Sequence, residues 1–182
     1  MQPKQNPPEP VVPNLVRPGL KILFVGINPG LRSAAIGHNF AGHSNRFWRF
    51  LFQSGLTLSQ FDALHDRDLL ELGYGITNIV SRSTATAAEL TRVDFEAGGR
   101  VLLDLLSEYR PRIAAYLGKD IYRYLSETSH LDWGLQPQRV VMNVVDFILP
   151  NPSGLNRIPL PEQLHYYVEL KKLSDRLEKA SG

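Results

Sequence analysis

Short apolar runs alternate with longer amphipathic stretches along most of the chain. The runs at 20–26 and 112–118 are apolar at most positions, which is typical of strands buried on both faces of a sheet. The longer stretches repeat apolar residues every three or four positions, which indicates amphipathic helices. The predicted strands are 20–26, 74–80, 112–118 and 139–150, and the predicted helices are 45–55, 61–73, 91–111, 119–126 and 160–180.

This alternation of strands and helices predicts the fold class. Strands separated by helices pair in parallel and are covered by helices on both faces. We therefore predict an α/β protein, a three-layer α/β/α sandwich around a short, mostly parallel central sheet. In such sheets ligands bind beyond the carboxyl ends of the strands. The turns 26–30 and 151–157 end two predicted strands and are the first candidates for a functional site.

The predicted helix 45–55 has an aromatic face. Asn45 is a suitable N-cap for it. We predict that the aromatic face packs in the core and does not stack on nucleic-acid bases. Its residues are Phe47, Phe50 and Leu51.

The first 17 residues differ from the rest. Six of the 13 prolines lie within the first 18 residues, where no apolar periodicity is found. We therefore predict a disordered leader over 1–17 and a single domain over 18–182. The leader lacks the apolar segment of a signal peptide, and no apolar run approaches the roughly 20 residues of a membrane helix. We expect a cytoplasmic or nucleoid-associated monomer with no membrane partner.

The composition excludes several kinds of functional site. The absence of cysteine excludes disulfides, iron–sulfur clusters and thiolate zinc sites. The five histidines include no helical pair with a third ligand nearby, so we predict no metal site and no cofactor. The formal net charge is +2, so any nucleic-acid surface has to be local.

The turn 26–30, Gly-Ile-Asn-Pro-Gly, places an amide side chain where a strand ends. Gly26 and Gly30 allow the backbone to turn sharply and to approach a ligand closely. The spacing matches neither of the common phosphate-binding signatures. Asn28 is therefore either a turn residue that bonds its own backbone or an acceptor aimed at a ligand.

The turn 151–157, Asn-Pro-Ser-Gly-Leu-Asn-Arg, places one apolar side chain among polar ones. Leu155 in this setting suits a side chain that inserts into a base stack while its neighbours hold phosphates. The alternative is a leucine that packs back onto the sheet. The neighbouring candidates are Ser153, Gly154, Asn156 and Arg157.

Six motifs occur together in one order: GINPGLRSA, NRFW, GITNIVSRST, AGGR, YRPRIAAYLGK and NPSGLNR. With this order and spacing the chain resembles the mismatch-specific uracil-DNA glycosylases and the related thymine-DNA glycosylases, from about Pro18 to the C-terminal helix. The resemblance implies a uracil-DNA glycosylase-like fold and a monofunctional enzyme without a cofactor. It also implies a substrate of uracil, thymine or an exocyclic cytosine adduct, mispaired with guanine in double-stranded DNA. Attack of water on the N-glycosidic bond would leave an abasic site.

The resemblance assigns roles to individual residues. Asn28 matches the catalytic asparagine, and Thr84 matches a threonine that helps to hold the attacking water. Leu155 matches the intercalating wedge, and Gly154 matches a backbone contact to the opposite guanine. The residues assigned to the flipped base are Ile27, Ser33, Phe40, whose ring stacks on it, and Asn78. The residues assigned to DNA are Ser153, Gly154, Leu155, Asn156 and Arg157.

Asp94 is a further catalytic candidate. Thr84 lies ten residues before it, and a carboxylate orients water better than an amide does. With Thr91 it also resembles a capping box, in which Asp replaces the usual Glu or Gln. Helix capping is therefore the alternative role of Asp94.

The sequence carries mixed signals on the preferred base. Thr77 and Asn78 resemble the thymine-type enzymes, whereas residues 151–154 resemble the bacterial uracil-type enzymes. By the resemblance, Ser33 lies near C5 of the pyrimidine, where its hydroxyl would fit a hydrogen better than a methyl group. We therefore predict uracil as the better substrate. The alternative is that Ser33 only caps the helix after the turn.

Two other functions share parts of this pattern. A nucleotide-binding α/β module would use the turn 26–30 but has no need of Leu155 on a second turn. A non-catalytic mismatch-binding protein would use both turns.

For catalysis, the amide of Asn28 does not titrate usefully, but its carbonyl oxygen can orient a water toward the anomeric carbon.

Overall fold

The computed structural model describes residues 11–126, 128 and 130–180, and a single sheet lies at its centre. The strands are β1 Ile22–Gly26, β2 Tyr74–Asn78, β3 Ile113–Leu117, β4 Gly134–Leu135 and β5 Val145–Leu149. Their order in the sheet is β2-β1-β3-β5-β4. Strands β2, β1, β3 and β5 run parallel, and β4 is antiparallel to β5.

Helices cover both faces of this sheet. They are α1 Leu31–Ile36, α2 Phe47–Gln53, α3 Arg92–Tyr109, α4 Lys119–Arg123 and α5 Leu160–Lys179, with 3-10 helices at Ala63–Leu70 and Ala87–Glu89. Every residue of β1 and β3 is buried. Phe24 packs with residues of α2 and α5 in one apolar cluster, and Leu23 packs with residues of α3 and α4 in a second. The predicted three-layer α/β/α sandwich is thus confirmed.

The helix boundaries agree with several local signals, although the N-cap of α2 is Arg46, one residue after the predicted N-cap Asn45. The capping box of Thr91 and Asp94 is present at the start of α3. The side chain of Asn45 accepts a hydrogen bond from the Phe47 N–H at the start of α2. The aromatic face of α2 is buried, as predicted. None of the helices in the described part of the chain is both long and apolar enough to cross a membrane.

The predicted strand 139–150 is too long. Only Val145–Leu149 is a strand, and residues 139–144 form bends and turns in which Asn143 has a φ of 68°. The carboxylate of Asp146 accepts a hydrogen bond from the Val140 N–H at 2.7 Å, which draws this segment back over the strand. The valines of residues 139–144 pack against the core although they lie in a loop. The apolar run in the sequence is therefore longer than the strand.

Three shorter elements also depart from the sequence prediction. Helix α1 has six residues and β4 has two, and both are too short to show a period. The predicted helix 61–73 is a 3-10 helix over Ala63–Leu70, capped by the side chain of Asp62.

The domain begins before Pro18, which corrects the predicted leader 1–17. Val12 and Leu15 are buried, and Leu15 exchanges two backbone hydrogen bonds with Ile76 of β2, at 2.8 and 2.9 Å. Residues 11–17 therefore pack along the outer edge of the sheet. The remainder of the predicted leader, residues 1–10, lies outside the described residues.

The glycine pair in α3 lets this helix approach the chain directly after β2. A Cβ atom at Gly98 would overlap the carbonyl oxygen of Ile79. At Gly99 a Cβ atom would lie 3.5 Å from the Leu125 side chain, which is an ordinary contact. Gly98 thus sets the position of the backbone that follows Asn78.

We predict that Gly98→Ala lowers the free energy of unfolding by about 1–3 kcal/mol, the usual cost of forcing extra atoms into a packed site. Gly99→Ala is the matched control, because both variants gain the same helix propensity of about 1 kcal/mol. Urea unfolding of the two variants and the wild type checks this. Equal stabilities of the two variants would contradict the close approach at Gly98.

Candidate active site

A cavity of about 420 Å³ opens at the edge of the sheet where β1, β2, β3 and β5 end. Its walls come from residues 26–33 and 151–153, together with Asn39, Phe40, Gly42, Asn45, Asn78, Ala85, Ala87 and Leu117. This volume lies in the range of small-molecule sites. Within the described ranges no group of three or more His, Asp or Glu side chains is placed to hold a metal ion.

The side chain of Asn28 has a defined orientation at the cavity wall. Its Nδ2 donates to the carbonyl oxygen of Arg82 at 2.9 Å and to Thr84 Oγ1 at 2.7 Å, with a longer bond to the Pro29 carbonyl at 3.3 Å. Carbonyl oxygens only accept hydrogen bonds, so the amide nitrogen has to face them. The amide oxygen, Oδ1, is thereby left as the acceptor for a ligand.

Thr84 holds Asn28 and does not line the cavity. Its side chain is buried, and its hydroxyl accepts from Asn28 and donates to the Thr86 carbonyl at 2.8 Å. Its backbone N–H donates to the Pro29 carbonyl at 3.2 Å. Because its only hydroxyl proton is engaged by Thr86, Thr84 is placed to orient Asn28, whereas the resemblance assigned it to the water.

The floor of the cavity depends on Gly26. Gly26 at the end of β1 pairs with Asn78 at the end of β2. A Cβ atom on Gly26 would overlap Asn78 Oδ1 and would lie 3.4 Å from the ring of Phe40. Within the described part of the chain the Asn78 amide makes no hydrogen bond, so both its donor and its acceptor are available to a ligand. The carbonyl of Ile27, also on the wall, accepts from the Val80 N–H.

Phe40 stands on the cavity wall in a strained conformation. Its φ of 51° lies in the left-handed region, which a bulky residue rarely adopts. Its ring stacks on Phe47 with centroids 4.1 Å apart, and its carbonyl accepts from the indole N–H of Trp48. Such strain persists only where neighbouring groups hold it, and it is common at functional sites.

Two buried side chains fix the residues on either side of Phe40. Asp66 accepts hydrogen bonds from the Asn39 N–H at 2.8 Å and from His38 Nδ1 at 2.9 Å. Ser33 Oγ accepts from the Ala41 N–H at 3.0 Å. Ser33 borders the cavity, as the resemblance implied, but the alternative that it caps α1 is wrong, because Gly30 is the N-cap. Asp66 was not found from the sequence, since it looks like an ordinary charge on a surface helix.

Leu155 lies on the outside of the turn 151–157 with 82% of its surface exposed. The alternative that it packs back onto the sheet is therefore wrong. Bonds within the turn fix its shape: Asn151 Oδ1 accepts from the Ser153 N–H, and the Asn156 amide donates to the Asn151 carbonyl. Arg157 is exposed on the same turn.

Two residues outside the predicted set, Ser44 and Arg46, contact this turn. Gly154 has no room for a side chain, because a Cβ atom would come within 2.8 Å of the Ser44 carbonyl. Arg46 donates from its guanidinium to carbonyl groups of the turn. The motif NRFW contains Arg46, but its pattern gave no sign of this contact.

Asp94 lies away from the cavity. Its carboxylate accepts from Arg82 Nη2 at 2.9 Å and from the backbone and hydroxyl of Thr91 at 2.8 and 2.9 Å. The hydrogen bond from Arg82, followed by those from Thr91, lowers the pKa of Asp94 to about 2. The structure therefore shows helix capping. Arg82 connects Asp94 to Asn28, because its guanidinium donates to Asp94 and its carbonyl accepts from the Asn28 amide.

Comparison with known proteins identifies a family and similar solved structures. The model of the uracil DNA glycosylase superfamily matches residues 13–172. The solution NMR structure of a protein from Methanosarcina acetivorans, described as a candidate uracil DNA glycosylase, superposes with a TM-score of 0.59. The alignment covers 90% of this chain and 98% of that chain at 18% identity, so it shows a shared fold.

We predict that Asp94→Asn lowers the melting temperature at neutral pH, because the charged bond to Arg82 is lost. The folded-state pKa of Asp94 lies below its usual value of 3.8, so its contribution is present above about pH 4 and is lost as the pH falls toward about 2. The difference in melting temperature from wild type should therefore shrink across this range. Glu96→Gln, which removes an exposed ion pair on the same helix, is the control. A pH-independent difference for Asp94→Asn would contradict the assignment.

Proposed function

The chain belongs to the uracil DNA glycosylase superfamily, and we propose that it removes uracil mispaired with guanine from double-stranded DNA. The observation that carries this proposal is the orientation of Asn28, whose amide nitrogen is held by backbone and hydroxyl acceptors. An uncharged amide oxygen fixed at the wall of a cavity is suited to hold a water, although it is not a strong base.

The target bond lies inside the duplex, so the nucleotide has to be turned out of the base stack. A mismatched base costs the least to extrude, which favours uracil opposite guanine over uracil opposite adenine. The cavity would receive the extruded base against the ring of Phe40. Leu155, exposed at the rim, would fill the space left in the duplex, with Gly154 and its exposed neighbours against the opposite strand.

The reaction is hydrolysis of the bond between C1′ of the sugar and N1 of the base. As this bond breaks, its electron pair leaves with the base and positive charge develops on the sugar. A water held by Asn28 Oδ1 adds to C1′, and its proton is lost to solvent or to the departing base. The free amide of Asn78 can donate to a base oxygen that gains negative charge. The products are the free base and an abasic site.

Ser33 is proposed to favour uracil over thymine at C5 of the base. One methyl group is worth only about 1–3 kcal/mol of discrimination, so thymine would be excised weakly rather than not at all. The bond between Ser33 Oγ and the Ala41 N–H adds a second role, because it supports the turn that carries Phe40. Asp94 is proposed to act through Arg82, as a positioning residue behind Asn28.

Base release from a panel of oligonucleotides tests the proposed function. Uracil, thymine and an exocyclic cytosine adduct would each be placed opposite guanine and opposite adenine, with single-stranded uracil as a further substrate. We expect the fastest formation of abasic sites from uracil opposite guanine. Tight binding to this mismatch without release of any base would support a non-catalytic mismatch-binding protein instead.

We predict that Asn28→Ala reduces single-turnover excision of uracil by on the order of 100-fold or more, because positioning of the water is lost in the transition state. Affinity for the mismatched duplex should stay within several-fold, since the turn 151–157 is untouched. Single-turnover rates and fluorescence anisotropy with the same G·U duplex check the two parts. Full activity of this variant would remove Asn28 from the mechanism.

A second prediction concerns Thr84, which holds the Asn28 amide. Thr84→Val has the same shape but no acceptor, so we expect uracil excision to fall by roughly tenfold, the worth of one buried hydrogen bond. Thr84→Ser keeps the hydroxyl and should retain most of the rate. Equal rates for the Val and Ser variants would show that the hydroxyl does not position Asn28.

A further inference from the structure

We propose that Arg46 positions Leu155 for insertion into the duplex and thereby sets the preference for double-stranded over single-stranded substrate; this rests on the proposed glycosylase function. The guanidinium of Arg46 donates to three carbonyl oxygens of the turn 151–157. These are Ser153 at 3.4 Å and Asn156 at 3.4 Å through Nη1, and Gly154 at 3.2 Å through Nη2. The backbone N–H of Arg46 adds a bond to the Pro152 carbonyl at 2.8 Å.

The three carbonyl groups share Arg46 as a donor, and the Ser153 carbonyl also accepts from the Asn156 N–H at 3.0 Å. A tight turn brings several carbonyl oxygens to one side, where their partial negative charges repel each other. A guanidinium presents a planar fork of N–H donors with a delocalised positive charge, which fits several acceptors at once. Arg46 is the group in the described part of the chain that contacts all three of these oxygens.

Ser44 also packs against the turn, at Gly154. Gly154 lies so close to Ser44 that any side chain would meet its backbone carbonyl and its Cβ atom. Segment 44–46 therefore contacts the turn both before and after Leu155 in the sequence, at residues 153–154 and at Asn156. An apolar side chain that is 82% exposed has no packing of its own to hold it, so the support has to come from the backbone.

The consequence for function is preorganisation. A turn already fixed in its inserting shape loses little conformational entropy when Leu155 enters the base stack. Single-stranded DNA has no opposite strand and no stack to fill, so its excision does not need Leu155 to be held in the inserting position. Phe47, the residue after Arg46, stacks on Phe40, so the same short segment also supports the ring at the cavity. The turn 151–157 and the ring of Phe40 are therefore both supported by residues 44–47, which fixes their positions relative to each other.

Arg46→Lys is the test variant, because it keeps the positive charge but lacks the fork that reaches three carbonyl groups. Arg49→Lys, an exposed position on α2, is the matched control for charge and helix. We expect Arg46→Lys to reduce single-turnover excision from the G·U duplex by about tenfold or more, the scale of lost charge-assisted hydrogen bonds. Its rate on single-stranded uracil should stay within about threefold of wild type, which also shows that the variant is folded.

Leu155→Ala supplies a second, independent readout. If Arg46 acts through Leu155, Arg46→Lys should have little further effect on duplex excision in the Leu155→Ala background. Equal losses on duplex and single strand, or an undiminished effect in the Leu155→Ala background, would each overturn the proposal.

Wild-type protein that releases no uracil from any substrate would refute the proposed function, and the role of Arg46 would then be judged by binding. Fluorescence anisotropy would compare a G·U duplex with a fully matched duplex. Loss of the mismatch preference in Arg46→Lys, but not in Arg49→Lys, would support the positioning role. A preserved preference would overturn it.

Discussion

The candidate site depends on the docking of two loops, the one after β2 onto the one after β1. The Thr84 backbone binds the Pro29 carbonyl, and the amide of Asn28 binds Thr84 and Arg82 in return. These reciprocal bonds join segments more than fifty residues apart in sequence and determine which atom of Asn28 faces the cavity. The parallel pairing of Gly26 with Asn78 brings the two loops together at the edge of the sheet.

The other walls are built by the same principle, in which a side chain from one segment fixes the backbone of another. Asp66 and Ser33 hold the turn around Phe40, and Arg46 holds the turn that carries Leu155. The side chains proposed to meet DNA are therefore supported by residues that do not touch it. This arrangement supplies fixed acceptors and apolar surfaces, which suits a reaction that relies on base extrusion and a placed water.

The sequence allowed prediction of the features that depend on local pattern. Strands β1 and β3 are continuous apolar runs, the cap of Thr91 with Asp94 is a local motif, and both candidate turns carry unusual residues at strand ends. The roles of Asp66 and Arg46 were not predictable, because their partners are backbone groups distant in sequence. The apolar run 139–150 and the packing of residues 11–17 were mispredicted, because apolar loops and edge segments lack a distinctive period.

The proposed mechanism requires Asn28 to present its amide oxygen to a water beside the sugar of an extruded uracil. A structure of the protein bound to a G·U duplex that contains 2′-fluoro-2′-deoxyuridine, which resists cleavage, tests it directly. We expect the base in the cavity and a water within about 3 Å of Asn28 Oδ1, facing C1′. A base that remains stacked in the duplex, or an Asn28 whose nitrogen faces the sugar, would contradict it.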